Sequence, residues 1–197
     1  MVPSRTQIIG CLAVVNGLLW LVTDHPARAS SLNDYQQTNL VSDLSGVAAN
    51  TDSNLVNPWG IAFSPKSPIW ISDNGAGVST IYNGSGQTVI PAVMIPPPQG
   101  GSPPATPTGI VFNGTSGFGG AHFIFATEDG TISSWSSGAS AVLGPDNSAS
   151  GAVYKGLALV GDTLFATNFN SGTIDVFDSS FAPINLGLRR NAGYPAK

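Results

Sequence analysis

The apolar positions of this chain fall in short runs rather than along a helical stripe. From residue 57 onward, β-branched and aromatic residues come in runs of four to six, separated by Gly, Asn, Asp and Pro; such punctuation predicts strands joined by tight turns. No long stretch beyond residue 30 places its apolar residues at a helical period. The runs also repeat. NPWGIAF at 57–63, TPTGIVF at 106–112 and VYKGLAL at 153–159 carry corresponding glycines, Gly60, Gly109 and Gly156, which lie 49 and 47 residues apart. A similar series follows each one: PIWISDNGAG, STIYNGSG and TVIPAVMIP after the first, HFIFATEDG, TISSWSSG and AVLG after the second, TLFATNFNSG, TIDVFDSS and APINLG after the third. Four strands per unit at this period predict the blades of a β-propeller.

Each part of the unit has a physical reason. An inner strand lies between neighbouring blades, so apolar residues are expected on both of its faces, and the Gly at its head permits close backbone approach near the axis. The hairpin between second and third strands reads SDNGAG, TEDG and TNFNSG, residues that tolerate the positive φ of tight turns. PPPQGGSPPATP at 96–107 predicts an extended surface loop inside one domain, because the repeat continues across it. The expected fold class is therefore all-β: a partial β-propeller of three four-stranded blades, at about 57–105, 106–152 and 153–197, or about half of a six-bladed ring. Residues 30–56 form a leading segment, in which YQQTNLVSDL (35–44) is expected to supply a ring-closing strand. Three blades are fewer than the roughly four to eight of a closed ring. Two apolar blade faces are thus expected to stand open, and self-association with them.

The first 29 residues have a different character. Arg5, the apolar stretch IIGCLAVVNGLLWLV (8–22) and Ala27-Arg28-Ala29 have the layout of a helical signal peptide, with Ser30 starting the mature protein. The expected location is secreted, extracellular or periplasmic, with no transmembrane segment after cleavage. Cys11 belongs to this leader, so residues 30–197 contain no cysteine and hence no disulfide or thiolate metal site. They hold five basic residues against ten acidic ones, a formal charge of about −5, which argues against nucleic acid as a partner. Over the whole chain, 9% charged and 42% hydrophobic residues, with 24 Gly and 15 Pro, suit a turn-rich globular protein rather than a disordered one.

Longer phrases carry a resemblance. NLVSDLSGVAANTDSNLVNPWGIAFSP, WISDNGAG, FNGTSGFGGAHFIFATEDGTI, SASGAVYKGLAL and LFATNFNSGTIDVFDSSF, in that order over about residues 36–186, resemble a family of secreted bacterial β-propellers. Some members of that family end in a PEP-CTERM sorting segment. More distantly, the pattern is similar to NHL-type repeats. The resemblance implies a protein about twice this length with about six blades, and it brings no established activity with it. After Leu186 the chain reads GLRRNAGYPAK and departs from the family pattern, as a C-terminally truncated product would.

In propellers, sites usually lie on the face where inner strands begin and where the second-to-third hairpins project. Here that face gathers Asn57, Trp59, Asp73 and Asn74 from the first unit and Thr106, Glu128 and Asp129 from the second. Tyr154, Lys155, Asn168 and Asn170 come from the third. Two readings follow. The favoured one is a non-catalytic binding or interaction scaffold for a protein, peptide or polysaccharide at the cell surface, without a cofactor. The alternative is a Ca²⁺-dependent lactonase- or esterase-like hydrolase, with Asp73, Glu128 and Asn168 as candidate ligands of the ion. No catalytic residue is assigned, since His25 lies in the leader and His122 has neither a Gly-x-Ser-x-Gly elbow nor a base-and-orienter pair beside it. Trp59, Trp70, Trp135, Phe63, Phe112 and Phe125 are expected to pack between blades, with Trp59 also a candidate for the ligand face.

Overall fold

The computed structural model describes residues 36–186. Residues 1–35, with the expected signal peptide at 1–29, and residues 187–197 lie outside the described residues. Among those described, three four-stranded antiparallel sheets follow one another along the chain, each ordered as the sequence runs. A two-stranded parallel sheet precedes them, made of β1 (Val41–Ser42) and β2 (Asn50–Thr51). The first large sheet contains β3 (Pro58–Ala62), β4 (Ile69–Asp73), β5 (Val78–Tyr82) and β6 (Val93–Met94). The second contains β7 (Pro107–Phe112), β8 (Phe123–Thr127), β9 (Thr131–Trp135) and β10 (Val142–Asp146). The third contains β11 (Tyr154–Val160), β12 (Thr163–Asn168), β13 (Thr173–Phe177) and β14 (Pro183–Ile184). These are three blades of a β-propeller, in the order the repeat predicts. No helix among the described residues is long and apolar enough to cross a membrane.

Strand alternation builds a core on each side of the middle blade. Between the first two blades, Trp70, Ile81 and Val93 pack with Ile110, Phe123 and Phe125. The Trp70 and Phe123 rings stack at 4.4 Å, and Trp135 closes on Trp70 at 4.6 Å. Between the second and third blades, Ile124, Ala126 and Ile132 pack with Tyr154, Leu164, Ala166 and Phe177. Every residue of β8 is buried, because its two faces serve two different cores.

Nearest the axis, the glycines do what the repeat requires of them. A Cβ on Gly60 would lie 2.4 Å from the Thr108 carbonyl oxygen, and one on Gly109 would lie 2.6 Å from the Leu157 nitrogen and 2.9 Å from Gly156. Consecutive inner strands therefore meet backbone to backbone, with no space for a side chain. Thr108 adds a polar link, its hydroxyl donating to the Tyr154 carbonyl at 2.8 Å. The predicted hairpins also form, with Gly77, Gly130 and Gly172 closing them at φ of 70°, 84° and 67°.

Two expectations change. The leading strand expected over 35–44 is reduced to Val41–Ser42, which pairs with Asn50–Thr51 in its own small sheet. Polar contacts hold this segment to the first blade: Asn50 Nδ2 donates to the Ser85 carbonyl at 2.9 Å, and the Tyr82 hydroxyl donates to Asp52 at 2.9 Å. Phe63, expected to pack between blades, is 64% exposed, and its neighbour in alternation, Ile61, is 63% exposed. The reason is positional. Ile61 and Phe63 stand where Ile110 and Phe112 stand in the second blade, and no blade among the described residues precedes β3.

The backbone contact gives a direct expectation. Gly109→Ala should cost about 2–3 kcal/mol in urea unfolding, because backbone atoms cannot yield to the added methyl. Gly84→Ala, where no heavy atom lies within 4 Å of the new Cβ, should change stability by less than about 0.5 kcal/mol. Equal effects would show that the inner strands are not in contact.

Candidate functional site

Each inner strand is irregular at its head. The register against the second strand shifts between Pro58 and Gly60, between Pro107 and Ile110, and between Tyr154 and Gly156. Such bulges break the alternation of side chains and re-aim the residue inside them. In the first and third blades that residue is Trp59 and Lys155. The two meet across the arc, with Lys155 Nζ 4.6 Å from the Trp59 ring centroid and 5.8 Å from that of Phe169.

A polar chain links all three blades at this end. Lys155 Nζ donates to Glu128 Oε1 as an ion pair. The other carboxylate oxygen of Glu128 accepts from Asn74 Nδ2 at 2.9 Å, and Asn74 Oδ1 accepts from Asn57 Nδ2 at 3.1 Å. Asn57 adopts φ of 50°, a left-handed conformation that Asn tolerates better than most residues. The bond to Lys155, aided by Asn74 and partly opposed by burial, holds the Glu128 carboxyl below its ordinary range. Two aromatic surfaces flank this network, Trp59 at 46% exposure and Phe169 at 74%. Asn57, Trp59, Asn74, Glu128 and Lys155, all read from the sequence as candidates, are thus brought together. Phe169 was missed. Its signal was an aromatic residue inside Asn-Phe-Asn, where the hairpin alone calls for turn residues.

The other candidates serve the scaffold. Asp129 Oδ2 accepts from the Thr106 backbone nitrogen at 2.7 Å and its hydroxyl at 2.8 Å, pinning the second hairpin to the start of its inner strand. The Tyr154 hydroxyl donates to Asp175 at 2.9 Å and accepts from Asn147 at 2.7 Å, and burial pushes it well above the ordinary tyrosine range. Asn168 Nδ2 donates to the same Asp175 at 3.0 Å, while Asn170 Nδ2 donates to the Gly151 carbonyl at 2.9 Å. Asp73 is fully buried and accepts from the Thr80 backbone nitrogen at 2.9 Å. Asp73, Glu128 and Asn168, the candidate calcium ligands, sit in three separate hydrogen-bond networks. Among the described residues, no three His, Cys, Asp or Glu side chains are grouped to share an ion. His122 is exposed, its ring 6.4 Å from that of Trp135.

Asp73 makes stability depend on pH. Desolvation raises its pKa from 3.8 to about 7, against the opposing hydrogen bonds from Thr80. A carboxyl with a raised folded pKa favours the folded state while protonated. That advantage is lost as pH climbs from the unfolded value through the folded one. Asp73→Asn, which keeps an acceptor for Thr80, should therefore be more stable than the wild type at pH 8, by up to about 4 kcal/mol. The difference should vanish near pH 4. Equilibrium unfolding at the two pH values checks this, and an unchanged difference would refute the buried ionisation.

No family model matches the chain. Two proteins of Acanthamoeba polyphaga mimivirus, both named only as uncharacterised, are 30% and 29% identical to it in alignments 169 residues long, which cover 79% of this chain and 41% and 42% of theirs. Among solved structures, virginiamycin B lyase from Staphylococcus aureus superposes with a TM-score of 0.51 at 18% identity, covering 64% of this chain and 40% of the lyase. The chain spans about two fifths of the length of these proteins, and the lyase likeness shows the shared β-propeller fold.

Proposed function

We propose that this is an exported, non-catalytic propeller that binds a surface polymer, a neutral polysaccharide in the first instance, where β3, β7 and β11 begin. The observation that carries the reading is the junction of Trp59, Phe169 and Lys155 with the chain Lys155–Glu128–Asn74–Asn57. Exposed rings offer flat apolar surface to the faces of a sugar ring. The amides and the internally neutralised ion pair offer donors and acceptors to its hydroxyls without a net charge. Glu128, with its pKa held low by Lys155, is a weak proton acceptor, so its chemistry favours holding a ligand over transforming one. The leader at 1–29 and the resemblance to secreted bacterial propellers support export and a place at the cell envelope. The acidic balance of residues 30–197 disfavours nucleic acid.

Calorimetric titration against neutral oligosaccharides of bacterial surface polymers tests the reading. Trp59→Ala and Phe169→Ala should each weaken binding about tenfold or more while leaving the unfolding midpoint in place. Binding that is indifferent to both would rule the site out. The hydrolase alternative has its own check: added Ca²⁺ or EDTA should leave the thermal midpoint unchanged. A midpoint that rises with Ca²⁺ concentration would reveal a native-state cation site and favour that alternative.

A further inference from the structure

Ile61 and Phe63 on one side of the arc, and Ala158, Val160 and Ile174 on the other, are open to solvent. They are not arbitrary apolar residues. One and three positions after the inner-strand glycine, the first blade has Ile61 and Phe63, the second Ile110 and Phe112, the third Leu157 and Leu159. Ile110 is only 7% exposed, and Phe112, Leu157 and Leu159 pack against the preceding blade's core. Two positions after the glycine come Ala62, Val111 and Ala158. The first two pack toward the following blade; Ala158 is exposed. The glycines tell the same story. Gly60 and Gly109 abut the next inner strand, whereas the Cβ site of Gly156 meets only Thr167 Oγ1 of its own sheet, at 3.4 Å.

We propose that two copies of this chain close one six-bladed ring. The open face of the first blade of each copy packs on the open face of the third blade of the other. The chain already makes this joint twice, so each open face is one half of a contact whose other half it also carries. A joint between unlike faces closes only if the rotation per blade brings the ends together, and here a two-fold axis would generate two equivalent joints. Six blades fall within the range of closed rings. Closure also completes the ligand face. Asn74 and Glu128 each bond to the following blade, and Phe169, at the same hairpin position, then meets the first blade of the second copy.

The full chain with Cys11→Ser, Ile61→Cys and Ala158→Cys tests this, since the new thiols face each other only across the proposed joint. Under mild oxidation it should yield a covalent species of twice the 20.1 kDa chain mass, while either single-thiol variant stays unlinked. The unmodified chain should show the doubled mass by light scattering in reductant. Ile61→Asp, at a position exposed within the arc, should return it to monomer with its circular dichroism unchanged. A monomer with unlinked thiols overturns the proposal. So does equal linking by the single-thiol variants, or a ladder of longer oligomers, the mark of a joint that fails to close.

Discussion

Where Gly60 faces Thr108 and Gly109 faces Gly156, two backbones touch with nothing between them, and that separation governs how the sheets diverge. A blade pinned to its neighbour by bare backbone at the axis must open away from it further out, and the widening gap has to be filled. The filling grows with distance. Ala62 and Val111 follow the glycines, and beyond them come Trp70, Phe123 and Trp135 between the first two blades and Leu164 and Phe177 between the next two. Interiors pack densely and tolerate little error in volume, so small residues inside and rings outside are one arrangement seen at two radii.

The same region explains why chemistry collects where it does. A bulge lies at the head of each inner strand, running up to Gly60 and Gly156 and through Gly109, and the residues it displaces leave the alternating pattern. In the middle blade the displaced stretch is used for fastening, through Thr108. In the outer two it frees Trp59 and Lys155 to reach toward each other. Scaffold and site are therefore not separate layers here. The irregularity that seats one strand on the next also directs the side chains that converge at the mouth.

Much of the fold was legible in the sequence because it rests on backbone demands that few residues meet. Glycine at the axis, and Gly, Asn or Asp in the hairpins, announce themselves wherever they recur. The pairing of Asn74 with Glu128 and of Glu128 with Lys155 was not legible, since it depends on side chains 54 and 27 residues apart meeting across blades. Equivalent hairpin positions also diverged: Asp73 and Asn168 correspond in the repeat, yet one is a buried carboxyl on Thr80 and the other supports Asp175. Exposure was hardest to read. Phe63 looks like Phe112 in every local respect, and only the identity of its neighbours separates them.

The middle blade offers one more lesson. Its leading side fits the blade before it and its trailing side fits the blade after it, although the two cores use different residues. A unit made this way is its own template for extension. Duplicating the gene segment that encodes it would add a layer whose contacts are inherited from existing ones, and would at the same time part the residues of neighbouring blades that meet at the mouth.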